Sequence, residues 1–264
     1  MLMHASANLG SNDRKWLVRK TPPVSKSSTL IRSVDLFAGC GGLTLGLNEA
    51  CRRVNLGHKV ELALDNDPFV LDIFRSNFRP RHDIIGDVDE YFDGGLANSQ
   101  MTENESLMVE SCPKIVGPDL LIGGPPCQGH SDLNNHSRRT DPRNSLYFRM
   151  IRAAQILKPK AIIIENVENV IHSKQKVVQN STHELMKMGY MVEHSILKAE
   201  EFGVPQLRRR HFLIASRTSR PDFSILGPLK FENNRTLRWA IEDLVLKYDS
   251  NSTFDSSANS NEVN

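Results

Sequence analysis

One cysteine stands in a sequence context that favours covalent chemistry. Cys127 follows an apolar run at residues 119–124 and lies in the turn Pro125-Pro126-Cys127-Gln128. Ligands of open α/β sheets bind at the carboxyl ends of the strands, so a thiol at this place would face a ligand. The two prolines restrict the backbone and aim the thiol. A buried structural role is commoner for a lone cysteine, but filling a core does not require a Pro-Pro-Cys turn.

Two other chemistries of the same turn fail on the residues that follow it. A zinc-dependent deaminase needs a second cysteine three places on, where His130 stands. A hydrolase elbow of the form Gly-x-Ser-x-Gly needs a glycine where Leu133 stands. The four cysteines form no Cys-x-x-Cys pair, which argues against a disulfide framework and a zinc site. We therefore expect a reduced, cytoplasmic protein without a metal, in which a thiolate can work.

A carboxylate and a run of arginines follow later apolar segments. Glu165 comes directly after the run at residues 161–164, where a carboxyl group can share a proton with a ring nitrogen. A helix-capping or surface acid is the alternative. Gln206, Arg208 and Arg210 alternate before a further strand, so in an extended chain they point the same way. They would bind phosphate or a base carbonyl through paired hydrogen bonds; a solvated basic patch is the alternative.

A glycine-rich turn and two acids suggest a nucleotide-type ligand. Gly39 and Gly41 follow the first strand, and Asp65 ends the next one, where a carboxylate can bind ribose hydroxyls. Asp87, after the third strand, is placed to accept a hydrogen bond from an adenine amine. Thr44 stands where a dinucleotide fingerprint needs a small residue, which disfavours NAD. An ordinary βα turn is the alternative.

Strands alternating with helices predict the elements that position these groups. The expected fold class is α/β, with a doubly wound, mostly parallel sheet. The Asn/Ser/Glu-rich stretch at 91–117 predicts a surface excursion. Strands are expected near 33–37 and 60–64, then a third one ending before Asp87, and further ones near 119–124, 161–164 and 211–215. Helices are expected near 43–50, 68–78, 144–158, 182–188 and 236–246.

Length and composition bound the domain organisation. With 264 residues, 24% of them charged and 39% hydrophobic, the chain can bury one well-formed globular domain. It lacks the run of about 18 apolar residues that a membrane span needs. The net charge of +2 says little about a nucleic-acid partner, which requires a local basic surface. We predict a flexible polar arm at 1–30, a catalytic domain at 31–246 and a disordered tail at 247–264.

The order of the motifs resembles that of the DNA (cytosine-5) methyltransferases, and bacterial modification enzymes above all. The resemblance implies the Rossmann-like fold of S-adenosylmethionine-dependent methyltransferases and double-stranded DNA as partner. It covers roughly residues 33–246. Its motifs occur in the family's order: Asp35-Leu36-Phe37-Ala38-Gly39-Cys40-Gly41-Gly42, Pro125-Pro126-Cys127-Gln128, Arg143-Asn144, Glu165-Asn166-Val167 and Gln206-x-Arg208-x-Arg210.

The resemblance also implies a role for each matched residue. Cys127 would be the nucleophile, Glu165 would engage N3 and the exocyclic amine of cytosine, and Arg210 would engage its O2. Arg208 would support the active-site loop. The S-adenosylmethionine pocket would comprise Phe37, Gly39, Gly41, Asp65 on the ribose, Asp87 on the adenine and Leu146 near the methionine portion. The expected DNA contacts are Gln128, Ser131 and Gln206.

The sequence departs from the family at its end. Family members that act as one chain continue into a target recognition region and a final segment that packs against the cofactor pocket, and neither is visible here. We expect a second polypeptide to supply both. A truncated product, or replacement of the missing segment by the N-terminal arm, are the alternatives. His130 also stands where the family usually has an apolar or aromatic residue.

Two other functions stay open at this point. A tRNA cytosine-5 methyltransferase would share the fold and the thiolate chemistry. A non-catalytic DNA-binding subunit would keep the fold alone, although the presence of Cys127, Glu165 and Arg210 argues against it.

Overall fold

The computed structural model describes residues 9–19, 21–23, 25, 27–126, 144–173, 175–231 and 233–242. Its strands are β1 (Leu30–Leu36), β2 (Gly57–Asp65), β3 (His82–Ile85), β4 (Leu120–Gly123), β5 (Ala161–Val167), β6 (Met191–Lys198) and β7 (Arg209–Ser216). Its α-helices are α1 (Leu9–Leu17), α2 (Gly42–Arg53), α3 (Pro68–Phe78), α4 (Val88–Tyr91), α5 (Glu103–Ser111), α6 (Asn144–Leu157), α7 (Val177–Lys187) and α8 (Leu237–Ile241).

The strands form one mixed sheet with the order β3-β2-β1-β4-β5-β7-β6. β1 to β5 run parallel, while β7 runs antiparallel to both β5 and β6. Two separate clusters of buried apolar side chains pack on the sheet. One includes Phe74 of α3, and the other includes Ile151 of α6 and Leu185 of α7. The predicted fold class, a doubly wound and mostly parallel α/β sheet, is confirmed.

The sequence missed one strand and misjudged one segment. β6 lies at the edge of the sheet, and its side chains are all at least partly exposed, so it carries no buried alternation to read. The stretch at 91–117, expected to be a surface excursion, is in fact part of the core: it contributes α5 and the buried side chains of Phe92, Met108 and Ile115. The sequence did not predict this burial, because the apolar residues of the segment are widely spaced among polar ones.

A fully buried ion pair holds that segment against α6. The guanidinium of Arg152 donates to both carboxylate oxygens of Glu105, at 2.7 and 2.6 Å, and neither side chain is exposed. Arg152 also donates to the backbone carbonyl of Gln100 at 2.7 Å. Burial raises the pKa of Glu105, but the hydrogen bonds from Arg152, Thr102 and Gly94 outweigh it and hold that pKa below its ordinary value. The pair therefore fixes a chain segment that has little apolar surface of its own.

The chain divides into two compact units. Unit 2 comprises residues 21–198 and 209–229 and contains the whole sheet; unit 1 comprises 1–20, 199–208 and 230–264. Within unit 1, Arg235 pairs with Asp13 at 2.7 Å and stacks on the rings of Phe231 and Trp239, with its guanidinium carbon 4.5 and 4.1 Å from their centroids. Helix α1 thus lies inside the segment that we expected to be a polar arm. Its sequence lacks a sustained apolar period, which is why it was not predicted.

Within the residues that the structure describes, no helix combines the length and apolarity that a membrane crossing requires. The same residues contain no group of three or more potential metal-ligating side chains.

We predict that Glu105→Gln lowers the free energy of unfolding by about 3–5 kcal/mol, because it leaves the buried Arg152 charge without its anion. Urea unfolding measures the change. The matched control is Glu193→Gln, which breaks the exposed pair with Arg220 and should cost less than about 1 kcal/mol. Equal losses in the two variants would contradict the role assigned to the buried pair.

We also predict an acid-sensitive contribution from His211, which is fully buried. Burial, reinforced by the neighbouring His194 ring at 5.1 Å, lowers the pKa of His211 to about 4. The unfolded chain binds this proton near pH 6.5, so the contribution is complete above that pH and is lost as the pH falls toward 4. The stability lost by pH 5 amounts to about 2 kcal/mol. The difference in unfolding free energy between pH 7.5 and 5 should shrink by this amount in His211→Leu but not in the exposed control His183→Gln.

Candidate active site

The polar groups singled out from the sequence follow strands that end at one edge of the sheet. The carboxyl ends of β1 to β5 meet there because these strands are parallel. The reversed strand β7 begins at the same edge, where Arg210 is the register partner of Val167 at the end of β5. Unit 2 therefore gathers groups from six strands along a single rim.

The turn after β1 has an unusual backbone that explains its glycines. Phe37, Gly39 and Gly41 all have positive φ angles, of 56°, 53° and 91°. A Cβ atom on Gly41 would overlap the ring of Phe78, so this position excludes any larger residue. The Gly39 N–H donates to Asp65 Oδ2 at 2.8 Å. This hydrogen bond ties the turn to the end of β2.

A buried acid lies beneath the same turn and was not anticipated. Asp35, the residue before the last of β1, accepts a hydrogen bond from the Thr44 hydroxyl at 2.6 Å, and both side chains are almost completely buried. Burial raises the pKa of Asp35 to about 8, and the nearby Asp65 adds to the rise while the Thr44 hydrogen bond opposes it. Thr44, which we had treated only as a mismatch to a dinucleotide fingerprint, therefore anchors α2 to β1.

Glu165 and Arg210 converge from neighbouring strands. Arg210 Nε lies 3.0 Å from Glu165 Oε1, and each side chain is about a quarter exposed, at 25% and 23%. A Cβ atom on Gly124 would lie 3.3 Å from Glu165 Oε2. The glycine after β4 thus leaves room for a close approach between this carboxylate and the turn that leads to Cys127.

Asn166 is a further residue of this site that the sequence did not single out. Its Nδ2 donates to the carbonyl of Pro125 at 3.0 Å, and its Oδ1 accepts from the Val167 N–H at 2.8 Å. The side chain is 3% exposed. No sequence signal pointed to this role, because the burial of the amide and its contact with Pro125 are known only from the structure. Asn166 holds the Pro125-Pro126 turn in place.

The remaining predicted residues divide into two groups. Gln206 and Arg208 belong to unit 1. Gln206 lies in a tight turn, in which its own N–H donates to the carbonyl of Val204 at 2.8 Å. The extended segment begins only at Arg209, so the prediction of one extended run from Gln206 to Arg210 is wrong. The residues Cys127, Gln128, Ser131 and Arg143 lie outside the described residues.

This sheet, with its glycine turn and strand-end acids, defines a Rossmann-like methyltransferase fold. A solved E. coli structure, described as a DNA modification methyltransferase encoded within a prophage, matches it with a TM-score of 0.60 at 25% identity, covering 80% of this chain and 54% of that one. The model of the C-5 cytosine-specific DNA methylase family matches residues 31–262. The chain belongs to that family.

Curated relatives agree. The type II methyltransferase M1.BsuMI of Bacillus subtilis (strain 168) is 37% identical over 234 residues, which cover 88% of this chain and 54% of that protein. The type II methyltransferase M.NgoBV of Neisseria gonorrhoeae is 30% identical over 202 residues, covering 74% and 43%. The chain thus spans about half the length of the curated relatives it matches.

The residues on the rim fit the methyl donor that this family implies, S-adenosylmethionine. Asp65 and Asp87 present carboxylates at the ends of two adjacent strands, as a ribose and an amine-bearing base require. Leu146, in the first turn of α6, is half-buried and Phe37 packs partly against the core. A Cβ atom on Gly39 would meet nothing within 4 Å, so the backbone there is open to close approach of a ligand.

We predict that Gly41→Ala costs at least about 2 kcal/mol of unfolding free energy, because its φ angle and the Phe78 ring both oppose a side chain. Gly46→Ala on α2 is the matched control. A Cβ atom there meets nothing within 4 Å, so alanine should stabilise the helix by up to about 1 kcal/mol. Thermal unfolding of the two variants tests the assignment; a similar midpoint for both would refute it.

Proposed function

We propose that this chain methylates C5 of cytosine in double-stranded DNA, with S-adenosylmethionine as the methyl donor. The observation that carries the proposal is the Glu165–Arg210 pair at 3.0 Å, set against the turn that leads into Cys127. A carboxyl group and a guanidinium at this spacing match the N3 and O2 edge of a cytosine. Membership of the C-5 cytosine-specific DNA methylase family supports the same substrate.

Cys127 would start the reaction as a thiolate. Its sulfur would form a bond to C6 of the cytosine; the C5–C6 π electrons would shift to the C4–C5 bond and the C4–N3 π electrons to N3, where a proton shared with Glu165 stabilises the charge. C5 then becomes nucleophilic. Loss of the C5 proton and cleavage of the sulfur–C6 bond later restore the aromatic ring and the thiolate.

The neighbouring residues would prepare the ring for this attack. Arg210 has five N–H donors in a planar fork, so it can hold Glu165 and reach the cytosine O2 at the same time. Asn166 donates to the Pro125 carbonyl and so would fix the backbone from which Cys127 acts. The cytosine must leave the DNA stack to enter the site, at a cost of a few kcal/mol.

The cofactor residues would orient the methyl donor on the other part of the rim. Asp65 would accept from the ribose hydroxyls and Asp87 from the adenine amine, with Phe37, Gly39, Gly41 and Leu146 lining the pocket. When bound, S-adenosylmethionine supplies an electrophilic methyl group, which the activated C5 accepts.

Sequence-specific methylation would also require the regions of the relatives that this chain does not match. We propose that a second polypeptide brings the target recognition region and the final motif. The part shared with this chain makes up 54% and 43% of two relatives, so each of them carries further regions of comparable length. Specific DNA interfaces bury on the order of 1,000 Å² or more of protein surface, which a recognition region would provide. The relatives' type II modification of DNA favours a role in a restriction-modification system.

The test is expression of the chain in a methylation-deficient bacterium, alone and together with its neighbouring reading frames, followed by bisulfite sequencing of host DNA and tRNA. We expect 5-methylcytosine at one DNA sequence only in co-expression, and none in tRNA. Cys127→Ser should reduce the signal to background, since losing a nucleophile costs on the order of 10³-fold or more. Cys51→Ala, at the far end of α2, is the control and should retain it.

Each failure has a separate meaning. Parental methylation by Cys127→Ser would refute the covalent mechanism, and methylation of tRNA instead of DNA would refute the substrate. Full activity of the chain alone would refute the need for a second polypeptide.

A further inference from the structure

One side-chain pair joins the ends of two neighbouring strands on the cofactor part of the rim. Asn66 directly follows β2, and Asp87 follows β3 after one glycine. Asn66 Nδ2 donates to Asp87 Oδ1 at 2.6 Å. The two positions are brought side by side by the sheet, in which Asp65 and Ile85 are register partners. No earlier step of the proposed reaction uses Asn66.

Asp87 is held away from the local role that its position offers. It precedes α4, where an aspartate side chain ordinarily accepts a hydrogen bond from the first helical turn, yet it makes no such bond. Asp67 occupies the same position before α3 and does cap its helix, accepting from the N–H groups of Phe69 and Val70. The two aspartates differ in their hydrogen-bond partners: Asp67 accepts from backbone N–H groups of its helix, whereas Asp87 accepts from the Asn66 side chain.

The backbone on both sides of the pair is fixed. The Gly86 N–H donates to the Asp65 carbonyl at 3.0 Å, and a Cβ atom on Gly86 would lie 2.8 Å from Cε2 of Tyr91. On the other side, the Asp67 N–H donates to Asp65 Oδ1 at 3.0 Å. Asn66 and Asp87 therefore face each other from two tight turns, and their hydrogen bond sets the direction of the carboxylate.

That direction matters for the choice of ligand. A carboxylate accepts hydrogen bonds and donates none. It pairs with the 6-amino group of adenine, whereas the 6-keto oxygen of hypoxanthine would leave two acceptors opposed. Asn66 donates to Oδ1 of Asp87 and thereby limits the rotation of the carboxylate, which leaves the second oxygen, Oδ2, to accept from another donor.

We propose that Asn66 is a positioning residue that orients Asp87 toward the 6-amino group of the cofactor and so makes the site select adenine over a 6-keto purine. The inference rests on the proposed use of S-adenosylmethionine. It assigns to an exposed asparagine a role in specificity that acts through its neighbour.

Calorimetric titration tests it without any methyl transfer. The full chain, purified after co-expression with its neighbouring reading frames, is titrated with S-adenosylhomocysteine and with S-inosylhomocysteine. The parental protein should prefer the adenosyl compound by about 10-fold or more, the value of one well-made hydrogen bond. In Asn66→Ala the preference should fall below about 3-fold, through weaker adenosyl binding and nearly unchanged inosyl binding. Asn77→Ala, whose amide bonds a carbonyl within α3, should keep the parental preference.

A double variant separates positioning from a general structural effect. If Asn66 acts through Asp87, adding Asn66→Ala to Asp87→Ala should leave both dissociation constants unchanged. A parental preference retained in Asn66→Ala, or an equal weakening of both compounds, would overturn the inference while leaving the cofactor proposal intact. Failure of the parental protein to bind S-adenosylhomocysteine would refute the cofactor proposal, and the inference would fall with it.

Discussion

The hydrogen bond from the Gly39 N–H to the Asp65 carboxylate ties together the ends of the two strands on which the cofactor part of the site is built. Parallel strands bring their carboxyl ends to one rim, but they leave the following turns free to diverge. Here the bond draws the positive-φ turn after β1 against the end of β2. Buried Asp35 and Thr44 support the turn from below. The glycines, the acids and the first turn of α2 thus form one connected assembly.

The elements that sequence could predict are those whose signals are local. Helix α3 matches its predicted bounds of residues 68–78 because an N-cap aspartate and a proline mark its start. β5 was visible as a β-branched run. β6, α5 and α1 were not predicted, since each depends on partners elsewhere in its unit. The buried carboxylate of Glu105 in α5 is paired with Arg152, which lies 47 residues later.

The same distinction applies to the candidate site. Gly39, Asp65, Asp87 and Glu165 stand in motifs that can be recognised in order along the chain. Asn166 could not be assigned in this way, because its role is a hydrogen bond to Pro125, 41 positions away. The hydrogen bond of Asn66 likewise goes to a residue 21 positions away. Motifs identify candidate ligand-binding groups, whereas the side chains that hold those groups in place are identified only from tertiary contacts.

The reversed direction of β7 leads the chain away from the rim that carries the candidate site. The chain enters β7 at that rim, with Arg210 opposite Val167, and leaves it at Ser216 opposite Ala161, at the other end of the sheet. There the Arg217 N–H donates a hydrogen bond to the carbonyl of Lys160 at 3.0 Å. Whatever follows β7 therefore starts a full strand length away from Glu165. A change in the length of that portion can therefore be accommodated without moving the Glu165–Arg210 pair.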